Sequence, residues 1–131
     1  ADVMQSRDFH NITLLNCYIS SGLNVESTAS IRVELEGKQL QGSGSGNGGF
    51  AAFFDAIEKL LDEGSFKMPA LLDYEVHIPR VGNIDALTEC IITWEWQEQE
   101  FKTRGVDSNQ VLAGVKAAMR MINLRMQSEK H

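Results

Sequence analysis

Between residues 42 and 49 the chain reads Gly-Ser-Gly-Ser-Gly-Asn-Gly-Gly and runs directly into an apolar helical pattern at Phe50. Glycines let a backbone approach a ligand closely and adopt positive φ, and the first N–H groups of a helix attract an anion. The segment has no Lys and lacks the Gly-Lys-Ser/Thr ending of a P-loop. It also does not open a βαβ unit in the GxGxxG manner, with an acidic residue on a following strand. A nucleotide is therefore a poor fit, and a small carboxylate such as an amino acid is a better one. Composition alone would also allow a flexible linker, but a strand pattern ends just before the segment and a helix pattern starts just after it.

The other chemistry-bearing residues are scattered. His10, His77 and His131 are far apart and show no metal-ligand spacing with each other or with the two cysteines, Cys17 and Cys90. Each cysteine sits among apolar strand residues, as a reduced, buried thiol would. His77 reads as a packed or hydrogen-bonded strand residue. No GxSxG or HExxH occurs. Glu58, Asp62 and Glu63 fall on or beside the solvent side of a helix. Trp94 and Trp96 share one strand face and suggest core or interface, and Met119, Met121 and Met126 suggest helix packing. No catalytic site and no metal site is expected.

The elements that position the glycine segment come in two similar sets. Each set opens with an apolar run bearing a Tyr, at Ile12–Ile19 and Leu71–Ile78, and turns at a glycine, Gly22 or Gly82. Alternation follows. Ile31, Val33 and Leu35 share one face, as do Cys90, Ile92, Trp94 and Trp96, which is the period of a half-buried strand. Glu36-Gly37-Lys38 reads as a hairpin turn into Gln39-Leu40-Gln41, with Gln97–Gln99 as its counterpart. Each set ends in a helix. The first carries Phe50, Phe53, Phe54, Ile57, Leu60 and Leu61 on one stripe, with Gly64 as its C′ residue. The second carries Val111, Leu112, Val115, Ala118, Met119 and Ile122, with Asp107 or Ser108 as N-cap. An offset of 61 residues superposes Ile31 on Ile92, Gly44 on Gly105 and Phe50 on Val111, with one residue gapped near the Gly22 and Gly82 turns. The prediction is an α+β fold of two βββα repeats, about 12–64 and 71–125. Antiparallel sheets and packed helices are expected about a pseudo-twofold, all within one domain of residues 1–131.

Size and charge narrow the partners. At 131 residues and 43% apolar, the chain can build a core. A net charge of −6, a pI near 5.0 and the lack of any basic run argue against nucleic acid and anionic membranes. No apolar run approaches the length needed to span a bilayer, and the polar start ADVMQSRDFH lacks a signal peptide's apolar region. The expected setting is cytoplasmic. The first residue is not Met, so a piece of a longer protein is expected.

Four pieces taken in order carry a resemblance: Gly46-Asn47-Gly48, Leu72-Asp73-Tyr74, Gly82 with Asp85-Ala86, and Gly105-Val106 through Ile122-Asn123. Together, over about Ile12 to Asn123, they resemble the C-terminal allosteric domain of 2-isopropylmalate synthases, a domain type shared with citramalate synthases. The resemblance implies a non-catalytic regulatory domain that forms a homodimer and binds a branched-chain amino acid. Leucine is the effector in the isopropylmalate branch of leucine biosynthesis and isoleucine in the citramalate branch. It implies an effector pocket of Gly46, Asn47, Gly48, Phe50 and Ala51, completed by Tyr74, Ile78 and Ala86. It also implies a TIM-barrel catalytic domain elsewhere in the same polypeptide, where a divalent metal and an acyl-CoA would act; this chain needs no cofactor of its own. Gly49 and Ala51 stand where the family usually has Pro and an acidic residue. Asn109 and Gly114 replace a usual Asp and Ser, and the Gly82 turn carries one extra residue before Asp85. These departures bear on the effector, and Phe50 reads equally as pocket wall or core. A ligand-free dimeric interaction module is the alternative from another functional class.

Overall fold

The computed structural model describes residues 12–62, 66–78 and 87–129. The expectations placed on His10, Glu63, Gly64, Gly82, Asp85, Ala86 and His131 lie outside these residues. The chain divides into two compact units, one within residues 1–67 plus the chain from Ile122 onward, the other Met68–Met121. Each carries a three-stranded antiparallel sheet followed by a helix, the α+β βββα pattern read from the sequence. In the first unit these are β1 (Ile12–Gly22), β2 (Val25–Leu35), β3 (Lys38–Gly46) and α1 (Gly49–Asp62). In the second they are β4 (Ala70–His77), β5 (Thr88–Trp96), β6 (Gln99–Asp107) and α2 (Gln110–Glu129). The last turns of α2 belong to the first unit, where the Asn123 amide and the Ile12 backbone exchange hydrogen bonds of 2.7 and 3.2 Å.

The offset of 61 holds for β2/β5, for β3/β6 and for both helix starts. The tight hairpins agree as well. Glu36 and Gly37 adopt φ of 54° and 81°, and Gln97 and Glu98 adopt 54° and 68°. Two successive positive φ values make the primed turns whose twist suits a two-residue hairpin. The first strands differ. β1 and β4 each slip register by one residue, between Leu14 and Asn16 and between Leu71 and Asp73. These bulges leave Leu15 and Leu72 at the surface. Cys17 pairs with Ile31 and Tyr74 with Ile92, so the partner of Tyr74 in the first repeat is Cys17 and not Tyr18. The offset here is 57, and the β4–β5 connection is four residues longer than β1–β2. The single gapped residue expected from the sequence is an underestimate: the two bulges are equivalent and cancel, and the four residues lie between the first and second strands.

The cores follow the alternation. Ala29, Ile31 and Val33 on β2 are buried, and so are Cys90, Ile92 and Trp94 on β5. Trp94 donates its indole N–H to the Thr103 hydroxyl at 2.9 Å, and that hydroxyl donates to the Ala117 carbonyl at 2.7 Å. A buried indole and hydroxyl are thus both satisfied.

The largest departure concerns the glycine segment. Residues 42–46 are not loop; they form the second half of β3. Gly42, Gly44 and Gly46 alternate, so they share the face turned toward α1. A Cβ on Gly44 would lie 2.8 Å from the Ala56 Cα, and one on Gly46 would lie 2.8 Å from the Ala51 carbonyl carbon. In the second unit a Cβ on Gly105 would lie 2.6 Å from the Ala117 backbone nitrogen. Ala56 and Ala117 are themselves 61 residues apart, so each repeat seats its helix on its third strand by the same glycine–alanine contact. The helix stripes shift accordingly. In α1 the buried residues are Ala52, Phe53, Ala56, Ile57 and Leu61, while Phe50, Phe54 and Leu60 are only half-buried.

Gly44→Ala and Gly105→Ala should each cost about 2–3 kcal/mol, because the strand and helix backbones cannot both stay in place. Thermal unfolding followed by circular dichroism should show a midpoint lower by roughly 10 °C for each variant. Gln41→Ala, at an exposed position of the same strand, should leave it unchanged.

Candidate functional site

Two residues, Asn47 and Gly48, join β3 to α1, and both are exposed. Gly48 has φ +117°, a conformation that L side chains rarely adopt, and its carbonyl accepts the Ala52 N–H at 3.0 Å, the first bond of α1. Gly48 is therefore the residue that opens the helix, and it has no side chain with which to cap it. Phe50 packs its ring along the helix, 6.1 Å from Phe53 and stacked 5.9 Å from Phe54. Ala51 is exposed at the first turn.

The equivalent junction in the second repeat is built differently. Asn109 corresponds to Gly48, and its carbonyl accepts the Ala113 N–H at 2.9 Å. Its side-chain oxygen accepts the Val111 and Leu112 N–H groups at 2.8 and 3.1 Å. α2 is thus capped by its own chain. The expected cap was Asp107 or Ser108. Asp107 instead accepts the Asn109 N–H at 2.8 Å and pairs with Lys116 at 3.0 Å. The Asn109 N–H first, then Lys116, holds the Asp107 carboxyl below its ordinary value. A depressed folded-state pKa means that this brace is intact above the ordinary carboxylate range and is lost only as pH falls below it.

Of the residues implied by resemblance, Gly46, Asn47, Gly48, Phe50 and Ala51 are brought together at the β3–α1 junction, with Gly46 serving mainly as the seat for Ala51 and Ala52. Tyr74 and Ile78 lie in the second unit. Tyr74 is half-buried on β4 and hydrogen-bonds Cys90, and burial first, then Cys90, pushes its phenol above the ordinary range, so it stays protonated. Ile78, just beyond β4, is 64% exposed. His77 is exposed and lies 3.4 Å from Glu75, away from any core.

Sequence reasoning gave no weight to a groove of about 440 Å³ lined by Tyr18, Thr28, Ser30, Ser43, Ser45 and Lys59 among others. None of the five junction residues lines it. Among the described residues no three His, Cys, Asp or Glu side chains gather as a metal site, and no helix is long and apolar enough to cross a membrane.

Asn109→Ala should lower stability by about 1 kcal/mol through loss of the α2 cap, read in urea unfolding. In a pH titration followed by NMR, the wild-type Asn109 amide should shift with a midpoint below 3.8, the ordinary Asp value.

The model of the LeuA allosteric (dimerisation) domain matches residues 1–126. A 2-isopropylmalate synthase of Aquifex aeolicus is 31% identical over 122 residues, which are 93% of this chain and 22% of that protein. One from Methylobacterium nodulans is 28% identical over 86% of this chain and 21% of its own length. A putative (R)-citramalate synthase of Methanosarcina mazei is 30% identical over 85% of this chain and 23% of its own. The chain spans about a fifth of the length of these curated relatives. With both βββα repeats in place and the match running through nearly every element, the chain belongs to the family of the LeuA allosteric (dimerisation) domain.

Proposed function

We propose that this chain is the feedback-sensing domain of a 2-isopropylmalate synthase and that it binds leucine at the β3–α1 junction. One observation carries the reading: the two repeats share a frame, yet the second closes its helix N-terminus with Asn109 while the first places the side-chain-free Gly48 there. A glycine at this position gives up only about a few tenths of a kcal/mol relative to an Asn cap, and residue 48 places no side chain between a ligand and the exposed start of α1. Helix N–H groups suit an α-carboxylate, and the exposed Asn47 amide next to them can accept from an ammonium group. The family name supports dimerisation and an allosteric role, and the relatives' names favour leucine biosynthesis over citramalate formation.

The mechanism is a population shift. The effector binds one arrangement of the regulatory dimer better than another and so biases the catalytic domains attached to it. Those domains, with their metal and acyl-CoA, belong to the four-fifths of the relatives' length that this chain does not span. A cytoplasmic setting belongs to the same reading.

Calorimetric titration of the chain with leucine, isoleucine and valine tests this. Saturable leucine binding is expected, weakened about tenfold by Asn47→Ala through loss of one hydrogen bond to a charged group, with the melting temperature unchanged. Preference for isoleucine would transfer the proposal to a citramalate synthase. Absence of heat with all three, from a folded dimer, would favour the ligand-free interaction module.

A further inference from the structure

We propose that Asp55 is a positioning residue for the effector loop: from α1 it holds the end of β3 and thereby sets the backbone of Asn47 and Gly48. The role rests on the effector reading above. Asp55 precedes Ala56, the residue seated on Gly44, so its side chain emerges beside the edge strand of the sheet. Its Oδ2 accepts the Ser45 N–H at 3.0 Å, and the same oxygen lies 3.0 Å from Lys59 Nζ. Ser45 is two residues before Asn47, so the bond fixes the strand end immediately ahead of the loop.

The second repeat shows what a side chain at this position does. Lys116 lies 61 residues beyond Asp55, and Val106 lies 61 beyond Ser45. Lys116 Nζ donates to the Val106 carbonyl at 3.2 Å and pairs with Asp107, which in turn accepts the Asn109 N–H. There the chain from helix to strand end to cap is continuous, and it orients the residue that closes the helix. The first repeat keeps the same brace with the charge reversed: a carboxylate takes the strand N–H where an ammonium takes the strand C=O. An exposed i,i+4 pair such as Asp55–Lys59 is by itself worth little. What sets Asp55 apart is the backbone amide it holds just ahead of Gly48, which at φ +117° has no side chain with which to fix the start of the helix.

The experiment compares wild type, Asp55→Ala, Asp55→Asn and Lys59→Ala in leucine calorimetry and in amide NMR spectra without ligand. Asp55→Ala should shift the Asn47 and Gly48 amide resonances and weaken leucine binding about tenfold, as when the binding-competent loop falls to about a tenth of the population. Asp55→Asn keeps an acceptor oxygen and should restore most of the affinity, and Lys59→Ala should retain it, with melting temperatures alike throughout. Wild-type affinity in Asp55→Ala, or Asn47 and Gly48 amides unmoved by it, would overturn the proposal. Failure of the wild type to bind any branched-chain amino acid would instead bring down the effector reading, and this role with it.

Discussion

Each helix of this chain lies on its third strand closely enough that only a glycine opposite an alanine fits. Gly44 meets Ala56, Gly105 meets Ala117, and neither contact leaves room for a Cβ. Much follows from that approach. With the helix lying flat on the edge strand, two residues suffice to pass from strand to helix in both repeats. A junction that short delivers the helix N-terminus beside the strand end, where a side chain one position before the alanine can reach the strand backbone. In the second repeat the same closeness lets Thr103 bond the Ala117 carbonyl and serve Trp94 at once. The dispersion and burial gained at such a seam are large only because the backbones come into contact.

On this common frame the two repeats have diverged at their ends. The second spends Asp107, Asn109 and Lys116 on closing its own helix. The first has Gly48 where Asn109 would be and Asp55 where Lys116 would be, so residue 48 itself supplies no side-chain cap to α1. The fold is supported by the contacts that both repeats share, and the proposed effector site lies where they differ.

Most of the frame could be read directly from the residues. Alternation at Ile31–Leu35 and Cys90–Trp96, the helical stripes and the offset of 61 all report side-chain burial, which sequence periodicity records. Composition alone allows a linker for the glycine run, yet its first five residues are strand. The clue was available in its period: glycines at 42, 44 and 46 alternate with Ser43 and Ser45, as a strand face pressed against a helix would require. The alanines were missed for a related reason, since stripes were counted in large side chains while the tightest contacts use the smallest. The first strands each carry a tyrosine, but Tyr18 is 71% exposed on the outer face while Tyr74, paired with Ile92, turns inward, a one-residue difference that an apolar run does not record. The Asn109 cap lay one or two residues beyond the expected ones. Of the candidate site, the junction residues 46–51 are legible as a helix N-terminus, but the contrast with the second repeat rests on the Asn109 side-chain geometry, which sequence pattern does not record.

The measurement that bears most directly on the central claim is an amide NMR titration of the labelled chain with leucine. Saturable shifts centred on the amides from Asn47 to Ala52 are expected, with the self-capped amides of Val111 and Leu112 far less affected. Shifts centred on Val111 and Leu112, or leucine binding that leaves Asn47 to Ala52 unmoved, would contradict that claim.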